Sequence, residues 1–292
     1  MPGMAVKHIT KIVVDFVLLS IVAIPILLFF LLGNPYERGF NCDDESLRYP
    51  YKDSTVSTFV LYVVGTFLPA ISMCVLEWFR VRREPVGKKV VMCGREINSW
   101  FWAAYSAVGP FLFGCATSQL TTDIAKYSVG RLRPHFIAIC KPDWSKINCS
   151  EPYVDPIPCT SDDAHRMKEA RLSFPSGHAS FSAFTMIYFA IYLQARFKFK
   201  SPKLVRPFLQ FVCLMMTFYT TISRISDYKH HWSDVLFGFL EGAVVAVLVA
   251  HFVSDLFPEE RHSKVTKHQV LALQDCHEGE NENNTIRTNL GE

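Results

Sequence analysis

The chain has 292 residues, half of them hydrophobic, and a formal net charge of +3. This charge is too small to point to a partner, and no nucleic-acid partner is expected. The apolar residues come in runs of about 20, the length that crosses a bilayer. An ordinary soluble protein of this length would instead alternate apolar and polar stretches, so that class is excluded.

Six apolar runs predict one domain of six membrane-spanning helices, residues 1–257. The runs cover residues 12–32, 57–79, 100–120, 179–194, 205–222 and 235–257. The first run is long, contains Pro25 and is not followed by a small-residue cleavage site, so it predicts a retained helix rather than a signal peptide. The remaining residues, 258–292, are polar and lack an apolar stripe, which predicts a disordered cytoplasmic tail.

Positive residues in short connections predict the orientation, because they mark the cytoplasmic side of a membrane. They gather before the first run, between the second and third, and between the fourth and fifth: Lys7, Lys11, Arg80, Arg82, Arg83, Lys88, Lys89, Arg95, Arg196, Lys198, Lys200, Lys203 and Arg206. These segments share one side, so both termini are expected in the cytoplasm. The connection between the third and fourth runs then faces the extracellular or lumenal side, where Asn148-Cys149-Ser150 predicts a glycosylation site at Asn148.

The cysteines divide in the same way. Four lie in the predicted exoplasmic connections, where disulfides persist: Cys42, Cys140, Cys149 and Cys159. Four cysteines allow three pairings, and the sequence leaves all three open. Three others are predicted to be small buried apolar residues (Cys74, Cys115 and Cys213), and two to be reduced in the cytosol (Cys93 and Cys276).

Three separated segments carry the groups needed to bind and transfer a phosphate. They are Lys126-Tyr-Ser-Val-Gly-Arg131-Leu-Arg133-Pro134, then Pro175-Ser176-Gly177-His178, then Ser223-Arg224 with His230 and Asp234. In the six-span arrangement all three lie at the exoplasmic membrane face, although they are scattered over about a hundred residues.

The residue types in these segments suit a phosphate monoester held without a metal. Lys126 supplies a point charge, while Arg133 and Arg224 supply planar forks that match phosphate oxygens. Ser176 adds a hydroxyl, and Gly177 allows close approach of the backbone at a helix start. The sequence shows no metal-ligand cluster, so these preorganised donors are expected to work with no cofactor.

His230 is the predicted nucleophile. On a helix it would share a face with Asp234, which would accept a hydrogen bond from one ring nitrogen and leave the other free to attack phosphorus. His231 would lie about 100° around the helix and is expected to be outside this geometry. His178, from another helix, is predicted to protonate the leaving alkoxide and then to activate water.

Each feature alone has a plainer interpretation. The His230 and Asp234 pair could be a helix-surface contact, Ser-Gly-His could be a helix cap, and basic residues at a membrane edge often meet lipid phosphates. The three segments together, in this order and at one face, favour an enzyme. Asp123 and Glu241 are charges near membrane depth, and both are predicted to be structurally paired, with Glu241 aimed at the bundle interior.

The pattern K-x6-R-P, P-S-G-H and S-R-x5-H-x3-D resembles that of the type 2 phosphatidic acid phosphatase superfamily. Residues 123–135, 144–149 and 226–234 closely resemble the animal lipid phosphate phosphatases (phospholipid phosphatases), and the likeness extends from residue 12 to 257. The resemblance implies an all-α integral membrane bundle of six helices with an exoplasmic active site. The helical core would resemble that of acid phosphatases and vanadium haloperoxidases.

The resemblance also implies Mg²⁺-independent hydrolysis through a phosphohistidine at His230, with His178 as the acid and Asp234 as the partner of the nucleophile. The implied phosphate-binding residues are Lys126, Arg133, Ser176, Gly177 and Arg224. The implied substrates are phosphatidate, lysophosphatidate, sphingosine 1-phosphate and ceramide 1-phosphate, in the plasma membrane and connected endomembranes.

Other functions stay open at this stage. One alternative is a sugar-phosphate phosphatase of the endoplasmic reticulum, which would share the chemistry. Another is a non-catalytic scaffold that binds lipid phosphates, although related proteins of that sort lack several motif residues that are all present here. Membrane lipids are expected partners, and the sequence does not decide whether the chain forms a homo-oligomer.

Overall fold

The computed structural model describes residues 2–83, 90–92, 95–198 and 202–257. The predicted disordered tail lies outside these ranges, as do two of the cysteines and three of the connection lysines: Cys93, Cys276, Lys88, Lys89 and Lys200. The chain divides into a compact unit, Met1–Ser254, and a second, Asp255–Glu292, of which only residues 255–257 are described.

The fold is helical. The long helices are α1 (Pro2–Leu32), α2 (Thr58–Arg83), α3 (Ser99–Val129), α6 (Gly177–Arg196), α7 (Val205–Ser226) and α8 (Trp232–Leu248), and a π-helical turn, Val249–Val253, follows α8. Two short helices, α4 (Phe136–Cys140) and α5 (Ala164–Ala170), lie in the connection between α3 and α6. The strands are β1 (Phe40–Asn41), β2 (Val90–Met92), β3 (Arg95–Ile97) and β4 (Tyr153–Val154), paired antiparallel as β1 with β4 and β2 with β3.

The predicted apolar runs fall one to each long helix. Among the residues that the structure describes, four helical segments are long and apolar enough to cross a membrane. These are Ile9–Leu32, Thr58–Arg83, Val205–Ser226 and Trp232–Val253. Helices α3 and α6 are not among them, because both carry polar side chains along their length. Helix α3 also extends nine residues past the predicted end at residue 120, since the polar residues there end the apolar run without ending the helix.

Helix α6 is the centre of the bundle. Most of its residues are buried, and it packs against α2, α3, α7 and α8. The approach to α8 is closest at two glycines: a Cβ on Gly238 would lie 2.5 Å from the carbonyl oxygen of Ser176, and one on Gly242 would lie 2.1 Å from that of Ser180. Only glycine permits this spacing, which brings the start of α6 against the first turns of α8.

Buried polar side chains join three helices at the level of this contact. The Glu241 carboxyl accepts hydrogen bonds from the hydroxyls of Ser180 (2.6 Å) and Ser118 (3.0 Å). Asp123 accepts from the side-chain amide of Gln119 at 2.9 and 3.0 Å. Both acidic residues are therefore paired as predicted, and Glu241 faces the bundle interior. Such pairing is what a polar group inside an apolar bundle requires.

One end of the bundle, here called the disulfide end, carries a second small core. Its buried members are Phe40, Leu47, Leu132, Phe136, Ile139, Cys140 and Ala170. The pair of strands β1 and β4 covers this core, and two disulfides close it: Cys42–Cys149 and Cys140–Cys159. The structure thus selects one of the three pairings that the sequence left open. Of the three cysteines predicted to be buried, Cys213 is buried, whereas Cys74 and Cys115 are half-buried.

We expect Gly242→Ala to lower the free energy of unfolding by about 1–3 kcal/mol, because the added methyl group overpacks a close helix contact. The measurement is the thermal midpoint of the purified protein in detergent micelles. Gly109→Ala in α3 is the matched control, since a Cβ there meets no atom within 4 Å. Equal midpoints for the two variants would contradict the close packing of α6 on α8.

Candidate active site

The first motif lies at the end of α3. Lys126 occupies the last turn of this helix, and Gly130 ends it in the left-handed conformation, with φ of 56°. A Cβ on Gly130 would lie 1.9 Å from the carbonyl oxygen of Tyr36, so the turn requires glycine. The Lys126 ammonium reaches the start of α6, 3.0 Å from the position that a Cβ of Gly177 would take. Glycine at that position therefore leaves room for the ammonium.

The second motif forms the N-terminus of α6. Ser176 is the N-cap, and its hydroxyl oxygen accepts a hydrogen bond from the amide of Ala179 (3.4 Å). The Ser176 amide donates to the carbonyl oxygen of Asp234 at 3.0 Å, which ties this motif to the third. Gly177 and His178 are the first two residues of the helix. Free backbone amides at such a terminus favour an anion.

The third motif spans a reversal between α7 and α8. Tyr228 has a positive φ of 55°, and the amides of Lys229 and His230 both donate to the carbonyl oxygen of Arg224, at 3.0 and 3.2 Å. His230 therefore precedes α8, which begins at Trp232 with His231 as its N-cap. The prediction that His230 and Asp234 share a helix face is wrong, because the helix starts after His230.

The His230 ring is buried, and its Nδ1 donates to the carbonyl oxygen of Ser173 at 2.6 Å. The nearest carboxylate oxygen of Asp234 is 4.0 Å from Nδ1, so the predicted direct hydrogen bond from His230 to Asp234 is also wrong. A carbonyl oxygen can only accept, which places the proton on Nδ1. The chemical consequence is the one expected from a carboxylate partner: Nε2 keeps a free lone pair.

Asp234 instead supports the groups around His230. Its buried carboxylate accepts hydrogen bonds from the Ser173 hydroxyl (2.6 Å), from the His231 amide (3.1 Å) and from the Arg131 guanidinium. The His231 ring also lies 3.2 Å from this carboxylate, contrary to the prediction that it stands outside the geometry. Asp234 thus acts on His230 through Ser173, whose hydroxyl binds the carboxylate while its carbonyl binds the ring.

Both predicted arginines are held by carboxylates. Arg133 pairs with Glu169 at 2.9 Å, and Arg224 pairs with Asp227 at 2.9 Å. The Nε atom of Arg133 is buried and has no hydrogen-bond partner within the described part of the chain. A buried unpaired donor is costly, and a phosphate oxygen would satisfy it.

The electrostatics of the site favour an anion and a neutral His230. Burial, together with the charges of Arg133 and Lys126 and with His178, holds the pKa of His230 well below its usual value of 6.5. Burial would raise the pKa of Glu169, but Arg133 and Lys126 outweigh it and keep that pKa below its ordinary range. At neutral pH the ring at position 230 is therefore uncharged and can act as a nucleophile.

The residues of the three motifs converge at the disulfide end. His178 interacts electrostatically with Arg224, Lys126 and Arg133, and its Nε2 lies 3.2 Å from the carbonyl oxygen of Val56. Asn148 lies apart from them in an exposed turn, where its side-chain oxygen accepts from the Ser150 amide at 3.1 Å. Within the described ranges, no group of three or more His, Cys, Asp or Glu side chains is placed to hold a metal ion.

Sequence reasoning missed several residues that position the motif side chains: Thr55, Glu169, Ser173 and Asp227, with Arg131 in its role on Asp234. Ser173 acts on His230 through a main-chain carbonyl, which leaves no mark in a sequence. Glu169 and Asp227 are ordinary acidic residues until the fold brings them to arginines. Only Arg131 carries a signal, because its position inside the first motif suits either contact with phosphate or support of the loop.

The chain is similar in sequence to known proteins. The sequence model of the PAP2 superfamily matches residues 107–258. The "Putative phosphatidate phosphatase" of Drosophila melanogaster is 46% identical, over 83% of this chain and 68% of its own length. Phospholipid phosphatase 1 of Rattus norvegicus is 43% identical over 88% and 89% of the two chains, and phospholipid phosphatase 2 of Homo sapiens is 41% identical over 89% and 88%. No solved structure matches.

The matched region contains the helices that carry all three motifs, from most of α3 to the end of α8. The chain therefore belongs to the PAP2 superfamily, near the animal lipid phosphate phosphatases, as an integral membrane phosphatase.

Proposed function

We propose that this phosphatase hydrolyses lipid phosphate monoesters without Mg²⁺, through a phosphohistidine at His230. The observation that carries the proposal is the hydrogen bond from Nδ1 of His230 to the carbonyl oxygen of Ser173, 2.6 Å long, beside a cluster of fixed cations. It leaves Nε2 as the free nucleophilic atom in a site that attracts a phosphate.

In the first half-reaction, the Nε2 lone pair of His230 attacks phosphorus in line with the ester oxygen. The nitrogen–phosphorus bond forms as the bond to the leaving oxygen breaks. Lys126, Arg133 and Arg224 hold the charge on the three equatorial oxygens. The unpaired Nε of Arg133 supports this role, since one of its donors is left for a ligand.

His178 completes both halves of the reaction. It gives a proton to the leaving alkoxide, which departs as the free lipid alcohol. In the second half it takes a proton from water, whose oxygen attacks phosphohistidine and releases inorganic phosphate. The first half would yield diacylglycerol, monoacylglycerol, sphingosine or ceramide from the corresponding substrate.

The lipid substrate class is supported by two observations. The relatives are named as phospholipid and phosphatidate phosphatases. The third motif also lies where two helices long and apolar enough to cross a membrane meet, at the end of α7 and the start of α8, so acyl chains could stay in the adjacent leaflet while the headgroup enters the cationic site. Phosphatidate, lysophosphatidate, sphingosine 1-phosphate and ceramide 1-phosphate all present the phosphate monoester that this site fits.

The exoplasmic location of the site is part of the proposal. The four cysteines expected on that side pair with one another at the disulfide end, and disulfides persist in oxidising compartments. The positive connections belong to the opposite end of the helices, which fits cytoplasmic termini. We propose a six-span domain, residues 1–257, in the plasma membrane and connected endomembranes.

His230→Ala is expected to abolish phosphate release from phosphatidate in mixed micelles containing EDTA, because it removes the ring whose Nε2 attacks phosphorus in the proposed reaction. Wild-type protein should remain active in the same buffer. His165→Ala, an exposed histidine on α5, is the matched control and should keep wild-type activity. Substantial turnover by His230→Ala would refute the assignment of His230 as the nucleophile. Strict dependence of the wild-type activity on Mg²⁺ would refute the metal-free reaction.

Arg133→Lys is expected to raise KM for phosphatidate by roughly 10- to 100-fold, the worth of one or two charge-assisted hydrogen bonds. The substitution keeps the positive charge but removes the buried Nε donor. Initial rates over a range of lipid mole fractions give KM. Arg206→Lys serves as the control, because Arg206 lies near the start of α7 whereas Arg224 lies near its end. An unchanged KM in Arg133→Lys would show that charge alone suffices and that the fork does not bind phosphate.

A further inference from the structure

A segment outside the three motifs forms another wall of the candidate site. Residues 49–56, here called the strap, connect Leu47 of the second small core to α2 in the chain. The strap contacts the first motif at Pro134, the second at His178 and the third at Asp227. The amide of Tyr49 makes the first of these contacts, donating to the Pro134 carbonyl oxygen at 3.1 Å.

The strap is tied most firmly to Asp227. The Thr55 amide donates to Oδ2 of this carboxylate and the Thr55 hydroxyl donates to Oδ1, each at 2.8 Å. The same carboxylate accepts from Nη2 of Arg224 at 2.9 Å. One buried carboxylate therefore holds both the strap and a predicted phosphate-binding arginine, but the Thr55 hydroxyl binds Oδ1 whereas Arg224 binds Oδ2.

Aromatic contacts fix the strap beside His230. The Lys229 ammonium, next to His230 in sequence, lies 3.8 Å from the ring centroid of Tyr51. Tyr49 stacks on Tyr228, with ring centroids 4.5 Å apart. Cation–π and stacking contacts of this kind contribute about 0.5–1.5 kcal/mol each. The strap is thus attached on both sides of the reversal that presents His230.

The strap ends at Val56, whose carbonyl oxygen lies 3.2 Å from Nε2 of His178. Since a carbonyl can only accept, this contact places a proton on Nε2. No hydrogen bond to Nδ1 is formed within the part of the chain that the structure describes. We propose that the strap is a positioning element for His178: the Val56 carbonyl fixes Nε2–H, so Nδ1 is the nitrogen that exchanges protons with the substrate.

This inference rests on the proposed function. The proton that His178 gives up in the first half of the reaction is replaced in the second half. A bound phosphate dianion offsets the charges of the neighbouring cations and so favours a second proton on the His178 ring. Nδ1 gives this proton to the leaving oxygen as the phosphorus–oxygen bond breaks. The same nitrogen then takes a proton from the water that attacks phosphohistidine, while Nε2–H stays on the Val56 carbonyl throughout.

Thr55→Val tests the strap, because it removes the hydroxyl that binds Asp227 and keeps the size and branching of the side chain. Rapid-quench measurement gives the rate of phosphoenzyme formation with two substrates. With phosphatidate, whose alkoxide needs a proton to leave, we expect a roughly tenfold loss, part of the about 10²–10⁴-fold that a positioned acid contributes. With 4-nitrophenyl phosphate, whose phenolate leaves without a proton, the rate should stay near the wild-type value.

Two variants serve as controls. Thr55→Ser keeps the hydroxyl and should restore the phosphatidate rate. Thr160→Val removes a hydroxyl that donates to the Lys141 carbonyl oxygen at 2.7 Å, away from the strap, and should change neither rate.

The possible outcomes distinguish a failure of this inference from a failure of the proposed function. Equal losses on both substrates in Thr55→Val, or no loss on either, would overturn the positioning role of the strap. Failure of the wild-type protein to form a phosphoenzyme with either substrate would overturn the proposed function itself.

Discussion

The proposed chemistry of this site depends on one hydrogen bond, from Nδ1 of His230 to the carbonyl oxygen of Ser173. It fixes the tautomer of a buried ring, and burial together with the surrounding cations lowers the pKa of that ring so that it is uncharged at neutral pH. A main-chain carbonyl cannot change protonation state, so the orientation of the ring does not vary with pH as it could with a carboxylate partner. Asp234 holds the Ser173 hydroxyl and Arg131. The most buried carboxylate of the site thus contacts the proposed nucleophile indirectly, through Ser173.

The helix packing serves this arrangement. Glycines 238 and 242 let α8 approach the backbone of α6 so closely that the Ser176 amide donates to the Asp234 carbonyl oxygen. That contact joins the second and third motifs, while Lys126 joins the first to the start of α6. Arg133 and Arg224 are each oriented by a paired carboxylate, Glu169 and Asp227. A phosphate would complete the balance of charge, as the proposed metal-free reaction requires.

Residue chemistry predicted much of this from the sequence: the helical class, the positions of the six apolar runs, and the meeting of three motifs at one end of the bundle. The predictions that were wrong concern local geometry. Spacing of four residues suggested that His230 and Asp234 share a helix face, but a left-handed Tyr228 turns the chain and delays the helix to Trp232. Contacts through main-chain atoms, such as those of Ser173 and Val56, have no sequence signature because any residue carries a carbonyl. Likewise α3 and α6 differ from the four segments apolar enough to span a membrane, since the polar groups they share inside the bundle lower their hydropathy.

The most direct test of the account is the identity of the phosphorylated atom. Phosphoenzyme trapped with a lipid phosphate, digested under alkaline conditions, can be located by mass spectrometry and its isomer assigned by ³¹P NMR. The hydrogen bond to Ser173 predicts phosphate on Nε2 of His230 and no other histidine. Phosphate on Nδ1 of that ring, or on His178, would show that the carbonyl does not set the nucleophile and would contradict the account at its foundation.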